Sequence, residues 1–140
     1  DRMNRDLQAA PVDLDRKLAF FEKDEIIWRE GRHAELFRRL AALKAAEPAL
    51  HNGRHGGALV DVPNSAPAKV LSFVRRQGAS RVFAVFNLSP EPQAVGFTLA
   101  RHHGAYVDAL SGEAAAFDGG SAPLELPGWG FRIYRAAPNP

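Results

Sequence analysis

From Leu59 to Arg135 the sequence is cut into short apolar runs by turn signals, and this punctuation constrains the fold more than any other feature. The signals are Pro63-Asn-Ser65, Gln77-Gly78, Ser89-Pro-Glu-Pro92, His103-Gly104, Ser111-Gly112, Asp118-Gly-Gly120 and Pro127-Gly128. Runs recurring at roughly 8–12 residues belong to all-β sandwiches or barrels, because each run is one strand and each signal one reversal. The pattern predicts strands at 58–62, 69–76, 80–88, 93–100, 104–110 and 129–135, with shorter ones near 114–117 and 122–126.

The phase of each run tells how it is covered. In 93–100, Val95, Phe97 and Leu99 alternate with Gln93, Gly96 and Thr98, which predicts one buried and one solvated face. In 80–88, Val82, Ala84 and Phe86 occupy one phase while Phe83, Val85 and Leu88 mostly fill the other. Strand 69–76 likewise sets Leu71 and Phe73 against Val70 and Val74. Two apolar faces need two covers, so these strands are expected at the centre of a sheet. One face would meet an opposing sheet, and the other a helix or a neighbouring domain.

Upstream, the spacing predicts a helix over 33–46. Leu36, Leu40 and Leu43 fall on one face, Phe37 and Ala41 are expected to widen it, and Glu35, Arg38, Arg39 and Lys44 populate the opposite side. Pro48 stops the helix, since proline has no N–H to donate and disfavours helical backbone at the preceding residue. Residues 52–57 are glycine-rich and read as a connection. Residues 1–32 hold Phe20, Phe21, Ile27 and Trp28 without helical or strand periodicity, which predicts an irregular segment whose bulky groups are buried against something else. Burial of four such side chains is worth on the order of 6–12 kcal/mol.

Searching for chemistry yields no catalytic constellation. The chain has no cysteine, so a disulfide framework, a thiolate-bound zinc and a cysteine nucleophile are all excluded, while the compartment stays open. His51 and His55 lie among glycines rather than on a helix, and His102 and His103, read as solvated loop residues, are adjacent. No metal site is expected from them. The carboxylates Glu22, Asp24 and Glu25 read as a polar loop rim. Ser89, Ser111 and Ser121 sit in turns without a nucleophile-elbow motif, and no phosphate-binding glycine loop is present. A formal charge of +2 without a Lys/Arg run longer than two residues lacks the footprint of a nucleic-acid binder. No apolar stretch is long enough for a membrane helix. Phe73, Phe83, Phe86, Phe97 and Phe131 fall in apolar phases and read as core. Tyr106 stands out of phase with Ala105, Val107 and Ala109, so it is expected to face solvent and is the candidate for sugar contact.

Taken in order, the segments resemble one known family. Arg16-Lys-Leu-Ala-Phe-Phe-Glu-Lys-Asp24 with Ile27-Trp28 resembles the loop after the eighth barrel strand of α-amylase-type (family 13) glycoside hydrolases; Glu25 departs from the proline carried there. Leu36-Phe-Arg-Arg-Leu-Ala-Ala-Leu43, Glu47-Pro-Ala-Leu50 and Asn52-Gly53 are similar to their last barrel helix and its exit. Val70-Leu-Ser-Phe-Val-Arg75, Val82 through Ser89, Tyr106 through Glu113 and Leu124 through Tyr134 resemble successive strands of their C-terminal β-domain. The likeness spans residues 14–136, and residues 1–13 match nothing in it.

The resemblance implies an irregular segment and one amphipathic helix followed by an eight-stranded antiparallel Greek-key β-sandwich. Residues 1–52 would be the remnant of a (β/α)8 barrel and residues 53–140 the sandwich. It implies a parent enzyme that acts on α-glucans with retention, using two carboxylates about 5–5.5 Å apart. Those carboxylates sit on earlier barrel strands, so no residue here is assigned a catalytic, metal or cofactor role. The implied role is to stabilise and shield the barrel; a free carbohydrate-binding or protein-interaction module is the alternative. Interdomain packing is expected at Phe20, Phe21, Ile27, Trp28, Leu36, Leu40 and Leu43. The implied partners are the upstream barrel and α-glucan, with self-association of the chain on its own and no nucleic acid or membrane.

Overall fold

Among the described residues, eight strands and one α-helix form close to where the apolar runs and their punctuation place them. The structure is a computed structural model that describes residue 31 and residues 33–138. The expected packing of Phe20, Phe21, Ile27 and Trp28 lies outside the described residues. The chain divides between Arg32 and His33 into two compact units, and everything below concerns the second.

Helix α1 spans Ala34–Ala46. The strands are β1 (Leu59–Asp61), β2 (Val70–Gln77), β3 (Ser80–Asn87), β4 (Gln93–Val95), β5 (Gly104–Asp108), β6 (Ala114–Phe117), β7 (Leu124–Leu126) and β8 (Phe131–Ala136). A six-stranded antiparallel sheet runs in the order β1-β2-β3-β8-β5-β6, and β4 pairs with β7 in a second sheet. After β3 the chain crosses to the second sheet and comes back twice, and β8 finally slots between β3 and β5. This is the return of a Greek key. The β2–β3 hairpin is the tightest joint, with Gln77 opposite Ser80. Gly78 supplies the positive φ that such a two-residue reversal requires.

Two apolar layers follow from the alternation. Between the sheets lie Val62, Val70, Val74, Phe83, Val85, Val95, Tyr106, Phe117, Leu126 and Tyr134. Phe83 is the hub: its ring centre lies 5.0–6.0 Å from those of Phe97, His102, Tyr106, Phe117 and Tyr134, all near enough for offset or edge-to-face contact. On the outer face of the large sheet, Val82, Ala84 and Ile133 pack with Ala49, and Phe73, Phe86, Ala109 and Phe131 surround them. Strand β3 therefore sends Phe83 and Val85 inward and Val82, Ala84 and Phe86 outward, as its two apolar phases predict.

Helix α1 covers part of that outer face through Leu40 and Leu43. Leu36 is half-buried but outside the cluster, and Phe37 and Ala41, expected to widen the stripe, are exposed. The helix touches the sheet along a narrow seam. Past Pro48, a single 3-10 turn (Pro48–Leu50) carries Ala49 into the layer. Its N–H donates to Ser80 Oγ at 3.1 Å, and Ser80 Oγ in turn donates to Glu47 Oε2 at 2.7 Å. Arg75 ties the following loop down, donating from Nε to the Gly57 carbonyl (2.8 Å) and from Nη2 to that of His51 (3.0 Å).

Two predicted strands end early. The run 93–100 is a strand only to Val95, because beyond it the chain changes partner. Ser65 N–H donates to Gly96 O at 2.9 Å, Phe97 bridges to Asn64, and a 3-10 turn takes up Ala100–His102. Strand β5 stops at Asp108, whose Oδ1 accepts from the N–H groups of Leu110 (2.8 Å) and Ser111 (2.9 Å) and so closes a turn.

Candidate functional site

The outer face of the large sheet is more apolar than solvent contact explains. Phe73, Phe86 and Phe131 stack across β2, β3 and β8, with ring centres 6.2 Å and 6.0 Å apart. Phe86 and Phe131 are directly opposed in the ladder, the arrangement in which cross-strand aromatic pairs interact most. Beyond this row, Leu71 is 44%, Leu88 60% and Trp129 63% exposed. Leu71 shares the phase of Phe73; Leu88, expected with Phe83 and Val85, instead follows Phe86 by two residues just past the end of β3 and is exposed. Trp129 lines a shallow depression with Leu110, Phe131 and Ile133 and with the charged Asp108, Glu113 and Arg132. Covering the exposed parts of Leu71, Leu88 and Trp129 would be worth roughly 2–5 kcal/mol.

Trp129 is held there by its backbone. Its φ is 58°, the left-handed region that costs a non-glycine residue about 1–2 kcal/mol. Three backbone bonds of 2.8 Å fix the turn: Trp129 N–H to Ser89 O, Gly130 N–H to Pro127 O, and Asn87 N–H to Gly130 O. A Cβ at Gly128 would strike the Pro90 carbonyl, so the two loops touch backbone to backbone. Beneath them, Asn87 is buried and uses its whole amide. Nδ2 donates to Glu91 O (2.7 Å) and Pro127 O (3.0 Å), while Oδ1 accepts from Ser89 N–H (3.1 Å) and Ser89 Oγ (2.7 Å). A satisfied buried network of this kind over-determines a strained residue.

Tyr106 requires a correction. It is 1% exposed, its hydroxyl donates to His102 O at 2.7 Å, and the Arg81 guanidinium lies 4.6 Å from its ring centre. Burial pushes its hydroxyl pKa up, and that of Tyr134 likewise. Alternation does separate Tyr106 from Val107 and Ala109. Strand β5, however, lies inside the sheet between β8 and β6, and Tyr106 takes the inter-sheet side. It cannot meet a sugar. His102 is the second correction: it is 2% exposed among Phe83, Phe97 and Phe117, not a solvated loop residue. Burial, and then the neighbouring His103, hold its pKa below the usual histidine value.

Chemistry beyond packing does not assemble here. Among the described residues no three His, Asp or Glu side chains gather as a metal site, and no helix is long and apolar enough to cross a membrane. Leu40 and Leu43 are brought onto the face and Leu36 is not. Leu71, Leu88 and Trp129 were not singled out by the sequence. The apolar phases of β2 and β3 continue into Leu71 and Leu88, and glycines on both sides of Trp129 mark a residue set on a turn.

Comparison with known proteins places this geometry. Residues 61–133, more than half of the chain, match the family model described as the maltogenic amylase C-terminal domain. No curated protein matches the chain. Among solved structures, the chain is similar to a noncanonic maltogenic α-amylase from Thermotoga neapolitana, with TM-score 0.63 and 16% identity over 84% of this chain and 28% of that one. It is similar to an Anoxybacillus α-amylase with TM-score 0.62 and 19% identity, over 90% of this chain and 25% of that one. A variant of the trehalulose synthase MutB shares 28% identity at TM-score 0.53, over 73% of this chain and 17% of that one. The chain thus spans between 17% and 28% of the length of these enzymes.

Proposed function

The chain belongs to the maltogenic amylase C-terminal domain family, and from that premise we propose that it is the non-catalytic β-domain of an enzyme acting on α-glucans, where it stabilises and shields the catalytic barrel. In this reading residues 1–52 close the barrel and α1 is its last helix, already seated on the sandwich by Leu40 and Leu43. One observation carries the proposal: the outer sheet face stays apolar well past the seam that α1 covers, with Leu71, Leu88 and Trp129 exposed. Large apolar side chains left exposed on one sheet face beside a packed apolar row mark a surface suited to being covered. Left uncovered, the same face favours self-association of the chain alone.

The carbohydrate-binding alternative loses its candidate residue, because Tyr106 is in the core. Two measurements test the proposal together. The 140-residue chain should release no reducing sugar from starch or maltooligosaccharides. Calorimetric titration with the same sugars should show no heat of binding in the micromolar range. Turnover by a clean preparation, or tight saturable binding, would contradict the non-catalytic, packing role.

A further inference from the structure

We infer that Trp129 is a pre-set anchor through which the β-domain grips the catalytic domain of the same polypeptide, and that the Asn87–Ser89 network is the device that presents it. The inference rests on the reading of the chain as one domain of a larger α-glucan enzyme.

The backbone is the first argument. A tryptophan at φ 58° occupies a position that glycine would fill without strain, and glycines already stand on both sides of it. Folding of the sandwich alone would favour glycine at this position. The side chain is 63% exposed, so it does not repay the strain by packing within the domain. Strain kept at an exposed residue by a fully bonded buried network is what presenting that residue to a partner requires. Tryptophan is also the side chain most enriched among residues that dominate binding energy at interfaces.

The surroundings select the occupant. Trp129 shares its depression with Leu110, Phe131 and Ile133 but also with Asp108, Glu113 and Arg132, the mixed apolar and charged lining of a contact between domains of one polypeptide. This chain covers only 17% to 28% of the similar enzymes' length, so most of each enzyme lies outside it and leaves ample protein to cover the ring.

The test compares Trp129→Gly and Trp129→Phe in two settings, the 140-residue chain and the enzyme that carries it. In the chain, Trp129→Gly should melt at or near the wild-type temperature, because relieved strain offsets the little packing that a ring 63% exposed gives up. In the enzyme, the same change should shorten the half-life of α-glucan hydrolysis at elevated temperature at least threefold, while Trp129→Phe keeps most of it. An enzyme half-life unaffected by Trp129→Gly overturns the anchor. So does equal destabilisation of chain and enzyme, which would make the ring an internal structural residue. Labelling with 5-fluorotryptophan supplies a further arm. If the resonance lost in Trp129→Phe shifts on adding maltooligosaccharide to the enzyme, the site takes sugar and the inference fails. If removing the whole chain leaves the enzyme's half-life unchanged, it is the wider domain reading that falls.

Discussion

Asn87 offers the sharpest test of how the sandwich holds its display turn. The side chain is 1% exposed and makes four hydrogen bonds, two donated and two accepted. Asn87→Ala removes all four and leaves the Ser89 N–H unpaired, while the Pro127 carbonyl keeps the Gly130 N–H and the Glu91 carbonyl keeps Ser89 Oγ. A typical net value of about 0.5–1.5 kcal/mol per bond gives a loss of roughly 2–6 kcal/mol, toward the lower end if water enters the gap. Asn87→Asp is the diagnostic partner. The introduced carboxylate still accepts from Ser89 but aims an oxygen at the two carbonyls that the amide NH2 satisfied. At neutral pH it should cost at least as much as alanine. Burial raises the pKa of such a carboxyl, and its protonated form can donate one bond again, so this variant alone should recover stability as pH falls from 7 to 5. Urea unfolding followed by circular dichroism at both pH values measures these differences. A cost below about 0.5 kcal/mol for alanine, or an aspartate variant as stable as wild type at pH 7, would refute the network as described.

Three further outcomes follow from the same packing. Phe83→Ala, at the ring hub, should cost about 3–5 kcal/mol and lower the melting temperature by roughly 15–30 °C, whereas Phe83→Leu should cost about 1 kcal/mol; calorimetry decides, and near-equal effects would count against the hub. His102 is held neutral in the fold, so the unfolded chain takes up its proton first; stability present above about pH 6.5 should be lost as pH falls through the lower folded value, and His102→Asn should flatten that slope in urea titrations at pH 8 to 5. Tyr106 and Tyr134 act in the opposite range, because their hydroxyls are harder to ionise when buried; stability should decline as pH rises above about 10, with Tyr134→Phe reducing the decline.

The strand plan was legible because it depends on local chemistry. Turn pairs such as Gln77-Gly78 and Pro127-Gly128 set the ends, and the double apolar phase of 80–88 showed that both faces of β3 are covered. Leu36, Leu40 and Leu43 gave the helix, but periodicity could not tell how much of that stripe meets the sheet, and Leu36 falls outside it. Tyr106 was misread for a related reason. Alternation sorts residues into two faces without saying which is wet, and on β5 the exposed residue is Ala105 while Tyr106 is buried. The early end of 93–100 depends on a change of partner at Phe97, a long-range event that no local pattern encodes. The left-handed backbone of Trp129 is likewise a tertiary product, imposed by Ser89 and Asn87 from another loop. The second apolar face of β2 and β3 was legible in the double phase of both runs, but which of its residues stay exposed became visible only once β2, β3 and β8 were aligned.

The central claim is that this chain exists to cover and stabilise a catalytic domain. The direct measurement is the half-life of α-glucan hydrolysis at elevated temperature for the enzyme with and without these 140 residues. A strongly shortened half-life without them, while the chain alone shows no hydrolysis, is the predicted result. An equal half-life in both forms, or hydrolysis by the chain alone, would contradict it.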